Sequence, residues 1–509
     1  MRCKVDALLY NARIITLDPA RPSAEAVAVE QGRILWVGEN ADIVGLEAEQ
    51  HLDCQGLTLL PGFHDAHLHF FAFASSVSEL DLSDASSLTN LLALVQGRAQ
   101  TTPPGRWVLG QGYHEFHLKE KRHPTRRELD QVAPGHPIRL AHSTHHAWVL
   151  NSQALALAGI SQDYEPPDVG HVERDEAGEP TGLILEPHIH AEALTPLSAA
   201  EQKDMAREAT QLLLGRGITS FQDATAGNGL AHWREFQRLK AEGEMPCRAT
   251  VMMGWEALDE LLSQGLQPRA EEGGLRLGPI KIMQDEASPT LQPPQAELDA
   301  IVLATHRAGF QIAIHAVEEP AVAAAVSALG KAQKAYPRPD PRHRIEHASQ
   351  CPPHLQERLH RLGAVVVSQP PFLYASGDRY LETVPPEGQP WLYPFGSLLK
   401  AGVTLAASSD APIAPPNPFL GIYSAATRHS RMGQSLSLQE RISPQQALSM
   451  YTLGAAHSIF RESELGSLTP GKLADFILVD RDPTETPSEE LKDIRVMKTF
   501  IGGKLAWEA

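Results

Sequence analysis

Residues 61–69 read PGFHDAHLH, three histidines and an aspartate directly after a Pro-Gly turn. Packing seldom needs histidine at that density. Side chains alternate along a strand, so His67 and His69 share one face, with Asp65 on it too, while His64 points the other way and is expected behind the strand. Two imidazoles at neighbouring positions of one face can grip a single metal ion. Further ligands would have to come from elsewhere, and four later stretches offer them. FQIAIHA carries His315, HRIEHAS carries His347 and VTLAASSDA carries Asp410. GPIKIMQD sets Lys281 in an apolar run, where a buried cation is costly unless it is paired or modified. Carbamylation by carbon dioxide would turn that lysine into a bridging carboxylate; an ion pair with Asp285 is the unmodified alternative. Asp410 could instead cap the Pro-rich segment that follows it, and a lone buried histidine is more often a hydrogen-bonded core residue than a ligand.

These residues can meet only if the elements bearing them converge. From about residue 200 onward, strand-like runs alternate with helical stretches. The strands are read at 217–225, 247–255, 278–285, 310–316, 343–349, 364–370 and 403–411, with helices such as HWREFQRLKAEG and QAELDAIVLATHRAG between them, several ending in Gly. With PGFHDAHLH they make eight βα units, which argues for a (β/α)8 TIM-like barrel of class α/β. All strand ends of such a barrel open on one face, so His67, His69, Lys281, His315, His347 and Asp410 would gather there. Residues 61–69 and 200–464 are assigned to this barrel. Residues 1–60 and 465–509 both read as short strands with turns and are expected to form one small β-sandwich domain. Residues 70–199 are too long for a βα loop and hold short strands such as RWVLGQGY, so they are read as an inserted subdomain after barrel strand 1, covering the active-site face.

PGFHDAHLH, the strand-four lysine, IAIHA, RIEHAS and SSDAP occur in an order that resembles the amidohydrolase superfamily of metal-dependent hydrolases. HHAWVLNSQALALAGI, AGEPTGLILEPH, GITSFQDA, NPFLGIYSAATR and GSLTPGKLADFILVD resemble more narrowly the YtcJ-like branch, amidohydrolase family 3, whose members include N-substituted formamide deformylase. The resemblance implies that His67, His69 and Asp410 bind one metal, that a carboxylated Lys281 bridges to a second held by His315 and His347, and that His146 reaches the site from the insertion as a catalytic residue. It implies hydrolysis of a C–N bond in an amide, an N-substituted formamide or a cyclic amide. A hydroxide bridging two divalent ions about 3.5–4 Å apart would attack, and Asp410 would serve as general base and then general acid. The chain departs from the branch at HAVEEPA, where HAIGDRA is usual, at DEASPT, where the branch usually has Gly after the aspartate, and at QPWLYPFGS, which lacks the arginine often found there.

The rival reading is a mononuclear deaminase of an aminated heterocycle, in which Glu318, three residues after His315, would protonate a ring nitrogen; a helix-start glutamate is the bland alternative. The presence of Lys281 favours the first reading. A metal-free scaffold is a third possibility, opposed by the complete ligand set. Zinc is the first choice of metal, with manganese or iron also suited to these donors. Phe70, Phe71, Trp148 and Phe372 hint at an apolar substrate, and Trp148, Glu318 and Phe372 are candidate substrate contacts.

Composition narrows the partners. The 509 residues carry 44 basic and 62 acidic side chains, a formal net charge of −18, which disfavours nucleic acid and anionic membrane. No apolar run is long enough to span a bilayer and no export signal is visible. The four cysteines are widely spaced and form no CxxC pair, which points to reduced thiols and a cytoplasmic location. A small-molecule substrate and a homodimer are the expected partners.

Overall fold

The computed structural model describes residues 3–43, 45–144, 147–165, 170–185, 199–286 and 290–509. The chain packs as two compact units, one formed by residues 1–70 and 209–509 and the other by residues 71–208.

Eight parallel strands run through the first unit: β1 (Phe63–Leu68), β2 (Ile218–Asp223), β3 (Arg248–Gly254), β4 (Leu275–Ile282), β5 (Ile312–Ala316), β6 (Arg344–His347), β7 (Val365–Ser368) and β8 (Thr404–Ala407). Each pairs in register with the next, from β1 through to β8. Val, Ile and Ala dominate these segments because both of their faces are buried, as parallel sheets require. The eight strands expected from the sequence are thus present in the expected order, an α/β barrel. The sheet comes round almost to closure. Beyond the strands proper, Asp410 N–H donates to the His67 carbonyl (2.8 Å) and His69 N–H to the Ala411 carbonyl (2.8 Å), joining the C-terminal ends of β1 and β8.

Helices cover the outside, among them Leu230–Ala241, Gln295–Arg307, Glu319–Ala335 and Pro353–Arg361. The apolar residues of these helices recur on one face and are buried: Leu298, Ile301 and Val302 in the second, for example. Two of the helices are followed by Gly309 (φ +87°) and Gly363 (φ +59°), left-handed turns that glycine adopts without steric cost.

The same unit holds two small sheets. One orders its strands 33–38, 26–30, 3–10, 46–53; the other orders them 504–508, 496–501, 476–479, 58–61, 13–15, 23–24. Thr58–Pro61 pairs antiparallel with Phe476–Val479, so a strand from each end of the chain lies side by side. Leu9, Val27, Val29, Ile34, Leu59, Phe476, Leu478 and Phe500 form a core common to both sheets.

The second unit contains a six-stranded mixed sheet in the order 171–174, 180–185, 147–150, 138–142, 108–113, 80–81. Leu91, Val95, Leu129, Ile138 and Leu140 pack its interior together with residues of helices Leu88–Thr101 and Arg126–Val132. Among the described residues of either unit, no helix is long and apolar enough to cross a membrane.

Candidate metal centre

β1 delivers the first two imidazoles. His69 Nε2 lies 3.1 Å and His67 Nε2 3.5 Å from Asp410 Oδ1, at the end of β8. One ligand atom from each of these three residues falls within 4.8 Å of the other two. The opposite nitrogen of each ring is already committed. His67 Nδ1 is 2.5 Å from Glu346 Oε2, and His69 Nδ1 is 3.0 Å from Thr225 Oγ1. Metal-binding histidines are oriented this way, with the second ring nitrogen tied to a carboxylate or another oxygen so that the first is aimed.

β6 and β5 bring the next two. The His347 ring centroid is 5.1 Å from that of His67 and 4.5 Å from that of His315. His347 Nδ1 is 2.8 Å from Gln369 Oε1, and the Gln369 amide donates to Ser408 Oγ (3.0 Å). Lys281 lies on β4, 1% exposed, with the charges of Glu346 and Asp410 acting on it. His67, His69, His315 and His347 are therefore drawn together with Asp410, on strand ends far apart in sequence, with Lys281 on the intervening strand.

Electrostatics put the ring nitrogens in ligand form. Burial, with the Lys281 charge adding to it, holds His67 well below the usual imidazole value. Burial and the neighbouring His347 do the same for His315, and burial lowers His347. Burial would raise the Asp410 carboxyl, but His67 and His69 outweigh it and hold that group well below the ordinary carboxylate range. Burial brings Lys281 down to about 8. Neutral imidazoles and an ionised aspartate are what a divalent ion requires. Asp410 Oδ1 supplies a direct test of fit: it is buried and, among the described residues, has no hydrogen-bond partner of acceptable geometry, although two imidazole nitrogens face it. An orphaned anionic oxygen beside two unused nitrogens is the donor set of a cation site.

Asp65 is not one of the converging donors. Its carboxylate accepts from Ser409 Oγ (2.6 Å), Ser409 N–H and His67 N–H, pinning the end of β8 to β1. His64 points away, as expected, with Nδ1 2.7 Å from Ser220 Oγ. Glu318 occupies the N-cap position of helix Glu319–Ala335 and is exposed, the helix-start placement set against the deaminase reading. Phe372 sits half-buried in the first turn of the helix after β7, 6.4 Å from the Tyr393 ring. Trp148 is buried in the second unit with the Arg139 guanidinium 5.1 Å above its ring. Phe70 stacks on Phe221 in the core. His146 lies outside the described residues.

Sequence reasoning passed over Glu346 and Arg344. Both are fully buried; Arg344 Nε donates to Glu346 Oε1 (2.8 Å), Nη2 to Glu346 Oε2 (2.9 Å) and to the Ala66 carbonyl (2.9 Å), and Nη1 to Gln222. The signal was available: RIEH places opposite charges two apart on a strand otherwise made to be buried, and such charges need a reason. Gln284, just past β4, is also buried with both amide atoms unpartnered among the described residues.

Comparison with known proteins agrees with this geometry. The model of the "Amidohydrolase family" matches residues 50–506. The chain is 31% identical to N-substituted formamide deformylase of Arthrobacter pascens, over 99% of this chain and 98% of that protein. It is 27% identical to the putative amidohydrolase YtcJ of Bacillus subtilis (strain 168), over 99% of each. Among solved structures, an uncharacterized metal-dependent hydrolase from Pyrococcus horikoshii OT3 shares the fold, with a TM-score of 0.76 at 24% identity, covering 95% of this chain and 99% of that one.

Proposed function

Because this chain belongs to the amidohydrolase family, a metal-dependent hydrolase acting on C–N bonds other than peptide bonds, we propose that its substrate is an amide, an N-substituted formamide or a cyclic amide. In this reading His67, His69, Lys281, His315, His347 and Asp410 hold two divalent ions, zinc before manganese or iron. The formamide class comes first because the relative that is 31% identical over nearly the full length of both chains carries that activity in its name. The ions, when bound, supply a Lewis acid for the scissile carbonyl and lower the pKa of the attacking water.

The chain's own residues do the rest. Glu346, Thr225 and Gln369 aim the imidazoles. Asp410, ionised at neutral pH, takes the proton of the attacking water on a carboxylate oxygen and returns it to the leaving nitrogen, as base and then acid. Lys281, brought down to about 8 by burial, presents more neutral amine near neutral pH than an ordinary lysine, the form that adds to carbon dioxide to give a carbamate ligand. Phe372, beside β7, offers apolar contact to the substrate. Cys54, Cys247 and Cys351 are buried free thiols, which fits a reducing cytoplasm.

The observation that carries this reading is Asp410 Oδ1, buried, unpartnered among the described residues and facing two imidazole nitrogens. Its test is Asp410→Asn, with metal content and formate release from N-substituted formamides measured on the same preparation. We expect turnover to fall by about 10²–10⁴-fold, the worth of a general base, with bound metal largely kept; turnover near that of the unmodified protein would remove Asp410 from this role.

A further inference from the structure

The inserted unit holds a second concentration of histidine that the barrel chemistry does not use. The strand Val108–Tyr113 runs parallel to Ile138–His142, and Tyr113 stands opposite His142 at the C-terminal end of the pair. Gly112 (φ +85°) lies where the register slips, so two residues of the first strand face one of the second. Bulges of this kind re-aim the side chains beyond them. His114 and Glu115 follow at once, and His123 returns to the same place with its Nδ1 2.9 Å from the Tyr113 hydroxyl.

Three imidazoles thereby surround one carboxylate oxygen. Glu115 Oε2 is 2.7 Å from His142 Nε2, 3.3 Å from His114 Nδ1 and 4.0 Å from His123 Nε2. Donor atoms of a tetrahedral zinc site with bonds of 2.0–2.1 Å stand about 3.3 Å apart, and these separations bracket that value. One ligand atom each from His114, Glu115 and His142 lies within 4.8 Å of the other two. His142 is only 6% exposed, and its Nδ1 is held by Thr144, 2.8 Å from Oγ1 and accepting from the N–H (3.2 Å). His142 Nε2 and Glu115 Oε2 are both buried, yet among the described residues neither has a hydrogen-bond partner of acceptable direction, although they approach to 2.7 Å.

We propose that His114, Glu115 and His142 form a binding site for one divalent transition-metal ion in the inserted unit, with His123 at its edge. Nitrogen-rich donors with a single carboxylate select zinc and its late first-row neighbours over magnesium or calcium. Bound there, the ion would tie the turn Glu115–His117 to the end of the strand Ile138–His142.

The test is zinc binding by the full chain, stripped with chelator and titrated with Zn(II) alone. In a His67→Ala/His69→Ala background, adding Glu115→Gln and His142→Gln is expected to remove one molar equivalent of zinc. Equal zinc content with and without the added pair overturns the site. Should the background fail to fold, the same comparison is made between the unmodified chain and Glu115→Gln/His142→Gln, with the same two outcomes: a loss of one equivalent supports the site, no loss removes it.

Discussion

His67 is fixed from both sides, by Glu346 on Nδ1 and by the space before Asp410 on Nε2. Glu346→Gln would keep the shape of the side chain and remove the charge that fixes which ring nitrogen carries the proton. Loss of such an orienting partner weakens metal affinity by roughly 10–100-fold, which chelator competition would register; unchanged affinity would show that Glu346 serves Arg344 alone. Arg344→Ala is not the equivalent experiment. It would strand the Glu346 carboxylate without its buried cation, at about 3–5 kcal/mol of stability. The two cases mark what sequence could reveal at this scale. Histidines at strand ends announce themselves because their type is unusual there. The partner that aims His67 lies 279 positions away, and no local pattern links the two.

The strands do more than carry ligands to one place. His347 (φ 73°), Ala348 (φ 46°) and Asp410 (φ 57°) all adopt the left-handed region just where β6 and β8 end. A side chain with a Cβ is held there at about 1–3 kcal/mol each, so the surrounding bonds must impose the turn; the Asp410 N–H to His67 carbonyl bond is one. Strand ends can also transmit damage. A Cβ added to Gly254, at the end of β3, would meet the Ala226 carbonyl oxygen at 2.1 Å. Ala226 adjoins Thr225, which orients His69. Gly254→Ala is therefore expected to cost about 1–3 kcal/mol and to lower metal affinity as well, seen as a lower Tm and a weaker zinc isotherm; a normal isotherm would mean the loop gives way without moving Thr225. The existence and order of these strands was readable from their Val- and Ile-rich runs. Their left-handed ends were not, because His, Ala and Asp do not advertise that backbone as glycine does.

Across the whole molecule, several buried histidines must stay neutral for the fold to hold. His343 accepts from Ile312 N–H at Nδ1 (3.1 Å), faces His306 Nδ1 with its Nε2 (2.8 Å), and His306 Nε2 faces the Tyr336 carbonyl (2.7 Å). That chain of bonds closes only with one proton on each ring. Burial lowers His343 and His306, and brings His64 down to about 3. The unfolded chain, with imidazoles near about 6.5, then binds more protons than the folded one, so stability falls as the pH drops below that value. Burial pushes Asp65 up to about 7, which works in the opposite sense between about 4 and 7, one group against three. The Tm of metal-stripped protein should decline between pH 7 and 5; a flat profile would mean these rings titrate normally. The sequence holds 23 histidines, an unusual count, but composition does not reveal that part of them serves as uncharged filling.

The near-closure of the barrel has one more consequence. Between β1 and β8 the wall is held by two backbone bonds at one end, with Asp65 and Ser409 beside them. His67 and His69 stand on one bank of that gap and Asp410 on the other. An ion bound by all three would act as a clasp across the weakest stretch of the cylinder, so the catalytic centre would double as a fastener. Amide hydrogen exchange would show it: chelation should quicken exchange at residues 67–69 and 409–411 well before the paired strands opposite. The loaded enzyme would then be a cylinder locked by its own chemistry, and the stripped one a sheet free to part along a single line.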